Sequence, residues 1–131
     1  TAREFLLAAE YLLAGGNPNI VLCERGIRAF GDHARNILDV SAIAAVREMS
    51  HLPIMGDPSH AAGNRTMVPP LARAALAAGA DGLMIEVHND PTTAWSDGAQ
   101  TLYLEQFETL AKELHEYHRI FRRSATPSVN Q

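Results

Sequence analysis

The sequence predicts an α/β protein built on parallel strands, and three observations carry that prediction. Three short apolar runs, 20–23, 52–55 and 83–85, show no alternation, the pattern of strands covered on both faces. They recur roughly thirty residues apart with helix-like stretches between them, the spacing of right-handed crossover connections. Each run also ends in ionisable residues: Glu24-Arg25, then Asp57-Pro58-Ser59-His60, then Glu86-Val87-His88. Parallel strands present their C-terminal ends to one side, so these groups should converge where α/β proteins place active sites.

Taken in order, 2–13 carries Phe5, Leu6, Ala9, Leu12 and Leu13 at close to helical spacing, and Gly15-Gly16-Asn17-Pro18 ends that helix. The first strand spans 20–24, and 26–39 is a longer connection of mixed polarity. Ser41 is read as the N-cap of a helix through Met49, with Ile43 and Val46 inward. Strand two covers 52–55, and 57–66 reads as a loop rich in Gly, Ser and Asn. Val68-Pro69-Pro70 suits the first turn of an alanine-rich helix over 71–78, which Gly79 closes. Strand three spans 82–87, a loop with Asp90-Pro91 and Ser96-Asp97-Gly98 follows, and 104–122 reads as a last helix. Phe107, Leu110, Leu114, Tyr117 and Phe121 form its apolar stripe. The αβαβαβα unit is thus assigned to 1–123, with a flexible C-terminal tail at 124–131.

Three parallel strands with two open edges make a marginal sheet. An arc of a TIM (β/α)8 barrel, which needs about 250 residues in full, explains the pattern better than a small doubly wound domain, chiefly on the motifs quoted below. The first residues fall directly into a helix with no initiator methionine and no signal peptide, so the chain is expected to be a piece of a longer protein. A net charge of −4 without a basic stripe argues against a nucleic-acid partner. No apolar run approaches the ~20 residues of a membrane span. A single cysteine excludes an internal disulfide and suits the cytoplasm.

One imidazole, His60, and two carboxylates, Glu86 and Asp97, make a mixed donor set suited to Mn2+, Fe2+ or Zn2+. The plainer alternative is a loop histidine, a solvated strand end and a turn-forming aspartate before Gly98. Arg25, at a strand end and followed by a glycine, suits a phosphate or carboxylate ligand, or else a salt bridge to Glu24 or Asp57. Arg28 and Arg65 are weaker candidates for the same anion. Cys23 is read as packing, His88 as structural, Trp95 as core or interface, and His33, His51, His115 and His118 as surface residues.

As strings, Leu22-Cys23-Glu24-Arg25-Gly26-Ile27-Arg28, Asp57-Pro58-Ser59-His60-Ala61-Ala62-Gly63-Asn64-Arg65, Val68-Pro69-Pro70-Leu71-Ala72, Ala78-Gly79-Ala80-Asp81-Gly82-Leu83 and Glu86-Val87-His88 resemble the C-terminal part of the 3-deoxy-7-phosphoheptulonate (DAHP) synthase family, type I. This resemblance runs over nearly the whole chain and is closest to the branch that includes 3-deoxy-octulosonate 8-phosphate synthase. It implies strands six to eight of a (β/α)8 barrel. It also implies an aldol-type condensation of phosphoenolpyruvate with erythrose 4-phosphate, the first step of the shikimate pathway toward aromatic amino acids. Carried over, Arg25 and His60 would be catalytic and would hold phosphoenolpyruvate, while His60, Glu86 and Asp97 would bind a divalent metal. Family barrels assemble as dimers or tetramers, so a homo-oligomer is expected.

Departures from the family pattern are plain. The metal-binding cysteine of strand one, a lysine of strand five and the Lys-Pro-Arg-type residues near strand two have no counterpart here. Asp97-Gly98-Ala99-Gln100 replaces Asp-Gly-Pro-Gln, and Gly63-Asn64-Arg65 replaces Gly-Lys-Arg. The 131 residues alone are therefore expected to be inactive. Two alternatives are an octulosonate-type enzyme using arabinose 5-phosphate and a non-catalytic fragment that folds by association.

Overall fold

The computed structural model describes residues 1–124, with side chains described through 120. Helix α1, Ala2–Ala14, starts in a capping box: the Thr1 side chain accepts from Glu4 N, and the Glu4 carboxylate accepts from the Thr1 amino group. Strand β1 is Leu22–Glu24, and helix α2 is Val40–Met49. Strand β2, Ile54–Gly56, runs into a short helix α3, Pro58–Ala62, and a 3-10 turn at Arg65–Met67. Helix α4, Val68–Ala77, leads to strand β3, Gly82–Leu83. A second 3-10 turn, Pro91–Thr93, precedes helix α5, Leu104–Ser124.

The three strands form one parallel sheet in the order β1-β2-β3. Leu22 pairs with Ile54 and Glu24 with Gly56; Met55 pairs with Gly82 and Gly56 with Leu83. One core cluster lies between sheet and helices around Leu22, Ile43, Val46, Ile54 and Ala75. Fully burying each of the larger aliphatic side chains there contributes roughly 1.5–3 kcal/mol. A second cluster, around Val68, Ala72, Leu102, Leu110 and Leu114, binds α5 to α4.

Several expectations need correction. The N-cap of α2 is Asp39, not Ser41; its carboxylate accepts from Ala42 N, and the Ser41 hydroxyl donates to the same oxygen. The stretch 57–66 is no plain loop: Asp57 caps α3, Pro58 fills its first turn and Gly63 closes it in the left-handed conformation. Strand three ends at Leu83, well short of 87. After Met84 N donates to Gly56 O, the β2 chain coils into α3 and offers no further ladder. Glu86 N instead donates to the Ser59 hydroxyl oxygen, and Val87 pairs with Leu102 in an isolated parallel bridge.

The strands are also not covered on both faces. Leu22 and Glu24 on β1 and Ile54 and Gly56 on β2 are buried, whereas Cys23 and Met55 between them are half-buried. On the same open side Val21 is 60% exposed and Met84 42% exposed. Trp95 is fully exposed, so it is not a core residue. In α5, Leu110 and Leu114 are buried, Phe107 is exposed and Tyr117 is half-buried, while the side chain of Phe121 and the tail from 125 lie outside the described residues. His118 is half-buried in an apolar cavity of about 430 Å³ beside Leu83 and Leu114. No described helix is long and apolar enough to cross a membrane.

Candidate metal centre at the strand ends

The site grows from the C-terminal ends of the three strands. At the end of β1 the chain turns sharply at Gly26, whose φ is +98°. A Cβ there would meet the Asn36 Cβ at 2.8 Å and the Ala61 Cα at 3.1 Å, so only glycine fits both the angle and the space. Glu24 turns inward, accepting from Gly26 N at 2.9 Å and Asp39 N at 3.3 Å. Arg25 therefore points away from Glu24 and out over the rim, with its side chain 64% exposed.

Asp57 organises the next position. It is fully buried, and its Oδ1 accepts from His60 N at 3.0 Å as the cap of α3. Its Oδ2 lies 2.7 Å from His60 Nδ1 and 3.6 Å from Arg25 Nε. A single carboxylate oxygen thus draws the guanidinium and the imidazole to one place. Because an ionised carboxylate only accepts, Nδ1 is the nitrogen that donates to Asp57, and Nε2 is the one turned toward the cluster. Nε2 faces Glu86 Oε1 at 3.4 Å. A histidine oriented by a carboxylate through its far nitrogen is the arrangement that metal-ligating histidines use.

Glu86 and Asp97 complete the cluster. One ligand atom from each of His60, Glu86 and Asp97 lies within 4.8 Å of the others, and all three residues are half-buried. Two carboxylates brought this close repel each other, a repulsion that Arg35 offsets at Asp97 from one side and that a dication between them would reverse. The donor set therefore fits a divalent metal of the imidazole- and carboxylate-binding kind. Asp97 sits at φ +54°, a left-handed conformation aspartate tolerates better than most residues. Gly98 follows because a Cβ there would meet the Pro91 carbonyl oxygen at 2.3 Å.

The structure thus brings Arg25, His60, Glu86 and Asp97 to one rim, and of the two salt-bridge partners weighed for Arg25 it places Asp57 there. Arg65 does not face an anion: its Nη2 donates to Gly98 O, its Nε donates to Thr101 O, and its guanidinium lies 4.7 Å from the Tyr103 ring centre. It pins the Asp97 loop. Arg28 is exposed and away from the cluster's hydrogen bonds. His88 Nδ1 accepts from Asp90 N, a structural bond, although His88 also borders a cleft of about 640 Å³ with Glu86 and Trp95. Burial, and next the charge of Asp57, push the Cys23 thiol above its ordinary pKa, and Cys23 is not one of the residues that converge on the cluster.

Sequence reasoning missed Arg35, whose Nη1 donates to Asp97 Oδ1 at 3.1 Å, because 62 residues separate the pair. It also undervalued Asp57 as the residue that orients His60. The signal was present, since an aspartate three residues before a histidine, with proline between, is a helix cap that returns to the imidazole.

Strand ends that gather an arginine, an imidazole and two carboxylates on one rim of a parallel α/β sheet define an arc of a (β/α)8 barrel with a candidate metal site. Residues 1–123 match the DAHP synthetase I family, and the chain belongs to that family. It is 54% identical over 114 residues to a phospho-2-dehydro-3-deoxyheptonate aldolase of Thermotoga maritima, covering 87% of this chain and 34% of the relative. A 2-dehydro-3-deoxyphosphooctonate aldolase of Desulfosudis oleivorans is 39% identical over 110 residues, or 76% of this chain and 39% of that protein. The crystal structure of the Thermotoga maritima DAHP synthase superposes with a TM-score of 0.89 at 50% identity, over 92% of this chain and 36% of that one. The chain spans about a third of the length of these relatives.

Proposed function

We propose that this chain supplies the C-terminal arc of a metal-dependent DAHP synthase, which condenses phosphoenolpyruvate with erythrose 4-phosphate. The observation that carries the proposal is the convergence of His60, Glu86 and Asp97 within 4.8 Å beside Arg25, in a chain 54% identical to a phospho-2-dehydro-3-deoxyheptonate aldolase. Identity to the octulosonate-type relative is lower, at 39%, so erythrose 4-phosphate is favoured over arabinose 5-phosphate.

Each residue has a task in this reading. Arg25, tethered to Asp57 only through Nε, keeps its two terminal nitrogens for the phosphate of phosphoenolpyruvate. Asp57 fixes the imidazole of His60 so that Nε2 points into the cluster. His60, Glu86 and Asp97 would hold Mn2+, Fe2+ or Zn2+. Bound there, the ion would supply Lewis-acid polarisation of the aldehyde. Carbon 3 of phosphoenolpyruvate attacks that aldehyde, water adds at carbon 2, and phosphate leaves with cleavage of its C–O bond. The residues of this chain place the reactants, and positioning accounts for much of such a rate.

The test is a chimera in which this chain replaces the matching segment of the Thermotoga maritima relative. Phosphate release from phosphoenolpyruvate and erythrose 4-phosphate with Mn2+ is expected, and His60→Ala should abolish it. A folded chimera that is inactive with both aldehydes, or a His60→Ala chimera with full turnover, overturns the reading. The chain by itself is expected to show no turnover.

A further inference from the structure

We infer that Gln100 is a positioning residue for the metal centre, whose amide determines which oxygen of Glu86 is offered to an ion. The inference rests on the metal-site reading above. Gln100 is 2% exposed, deep for an amide, and a buried amide needs partners at both its ends. Its Nε2 donates to Glu86 Oε2 at 2.7 Å, and its Oε1 accepts from Arg35 Nη1 at 3.4 Å. Its backbone N–H donates to Asp97 O at 3.1 Å. Gln100 therefore holds the Glu86 carboxylate through its side chain and the Asp97 main-chain carbonyl through its backbone.

The consequence lies in the coordination number. With Oε2 of Glu86 engaged by the amide, Oε1 is the oxygen that faces His60 Nε2, at 3.4 Å. Arg35 makes the same claim on Oδ1 of Asp97. Each carboxylate is thereby presented through one oxygen. A site of three single donor atoms keeps positions open for water and substrate, whereas a chelating glutamate would fill one of them. Without the Gln100 donor nothing in the cluster keeps Glu86 from turning to grip an ion with both oxygens.

The experiment compares metal binding by the chimera described above, which completes the barrel around this chain, and its Gln100→Met variant, which keeps the volume and removes the donor. Mn2+ affinity is read by electron paramagnetic resonance, the visible absorption of bound Co2+ reports coordination, and circular dichroism checks the fold. Gln100→Asn, one methylene too short to reach Oε2, serves if Gln100→Met folds poorly. Expected are a Kd for Mn2+ about 10–100-fold weaker and a Co2+ band altered in position and intensity. His60→Ala separates the two levels of inference. If His60→Ala removes binding while the Gln100 variants keep the parent Kd and the parent Co2+ spectrum, the role of Gln100 is refuted and the site stands. If His60→Ala binds as the parent chimera does, or the parent chimera binds neither ion, the site itself falls and the role of Gln100 falls with it.

Discussion

Replacing Asp57 by asparagine and by alanine separates what that residue does for the fold from what it does for the site. Alanine removes the α3 cap, worth about 0.5–2 kcal/mol, and strands a buried ring nitrogen whose hydrogen bond to a charged acceptor contributes about 1.5–3 kcal/mol. Together these amount to roughly 2–5 kcal/mol, or about 10 °C in Tm at a few degrees per kcal/mol for a chain of this size. Asparagine keeps the cap. His60 N can only donate, so it fixes the amide oxygen at the Oδ1 position and leaves the NH2 group 2.7 Å from His60 Nδ1. That group donates, so the ring proton moves to Nε2, the nitrogen that faces Glu86 Oε1. A protonated Nε2 has no lone pair for a metal. Asp57→Asn should therefore lower Tm by only about 4 °C yet weaken Mn2+ binding about 10–100-fold, as much as Asp57→Ala does. Calorimetric Tm and Mn2+ titration of both variants read the two effects apart. An Asp57→Asn protein with native metal affinity refutes the assigned tautomer and with it the orienting role of Asp57.

Two further outcomes concern the scaffold. Ile54→Ala, at a fully buried position of the central strand, should cost about 2–5 kcal/mol in denaturant unfolding, and a loss below 1 kcal/mol would contradict the packing described. Glu113 is held below its ordinary pKa by the Arg73 guanidinium, which donates to both its oxygens, and Asp39 by the Ser41 hydroxyl. Their stabilisation is complete above the unfolded pKa values of about 4.3 and 3.9 and is lost as pH falls through the lowered folded values, where the unfolded chain binds more protons. Thermal unfolding from pH 6 to pH 3 should thus show a falling Tm, with a shallower slope in Glu113→Gln; an unchanged slope would count against the α4–α5 ion pair.

How much of this is legible in the sequence depends on range. The three strands and the larger helices follow from local apolar spacing, and Arg25, His60 and Glu86 follow from the rule that parallel strand ends share a side. The partners that hold them do not. Arg35 meets Asp97 across 62 residues, and Gln100 reaches Glu86 only because the 91–100 loop folds back beneath it. The helix α3 hides in a stretch whose composition reads as loop, although its aspartate, proline and glycine mark both its ends. The shortening of β3 is likewise invisible locally, since its residues are apolar enough to continue; what stops the ladder is the coil taken by the neighbouring strand.

The half-sealed sheet has a practical consequence. With Val21 and Met84 exposed, Cys23 and Met55 only partly covered, and both outer strands lacking a strand neighbour on one flank among the described residues, the isolated polypeptide carries an oily face bordered by open sheet edges. Surfaces of that kind seek each other in solution. Association that grows with concentration is therefore the expected behaviour of this chain, and light scattering over a dilution series would read it.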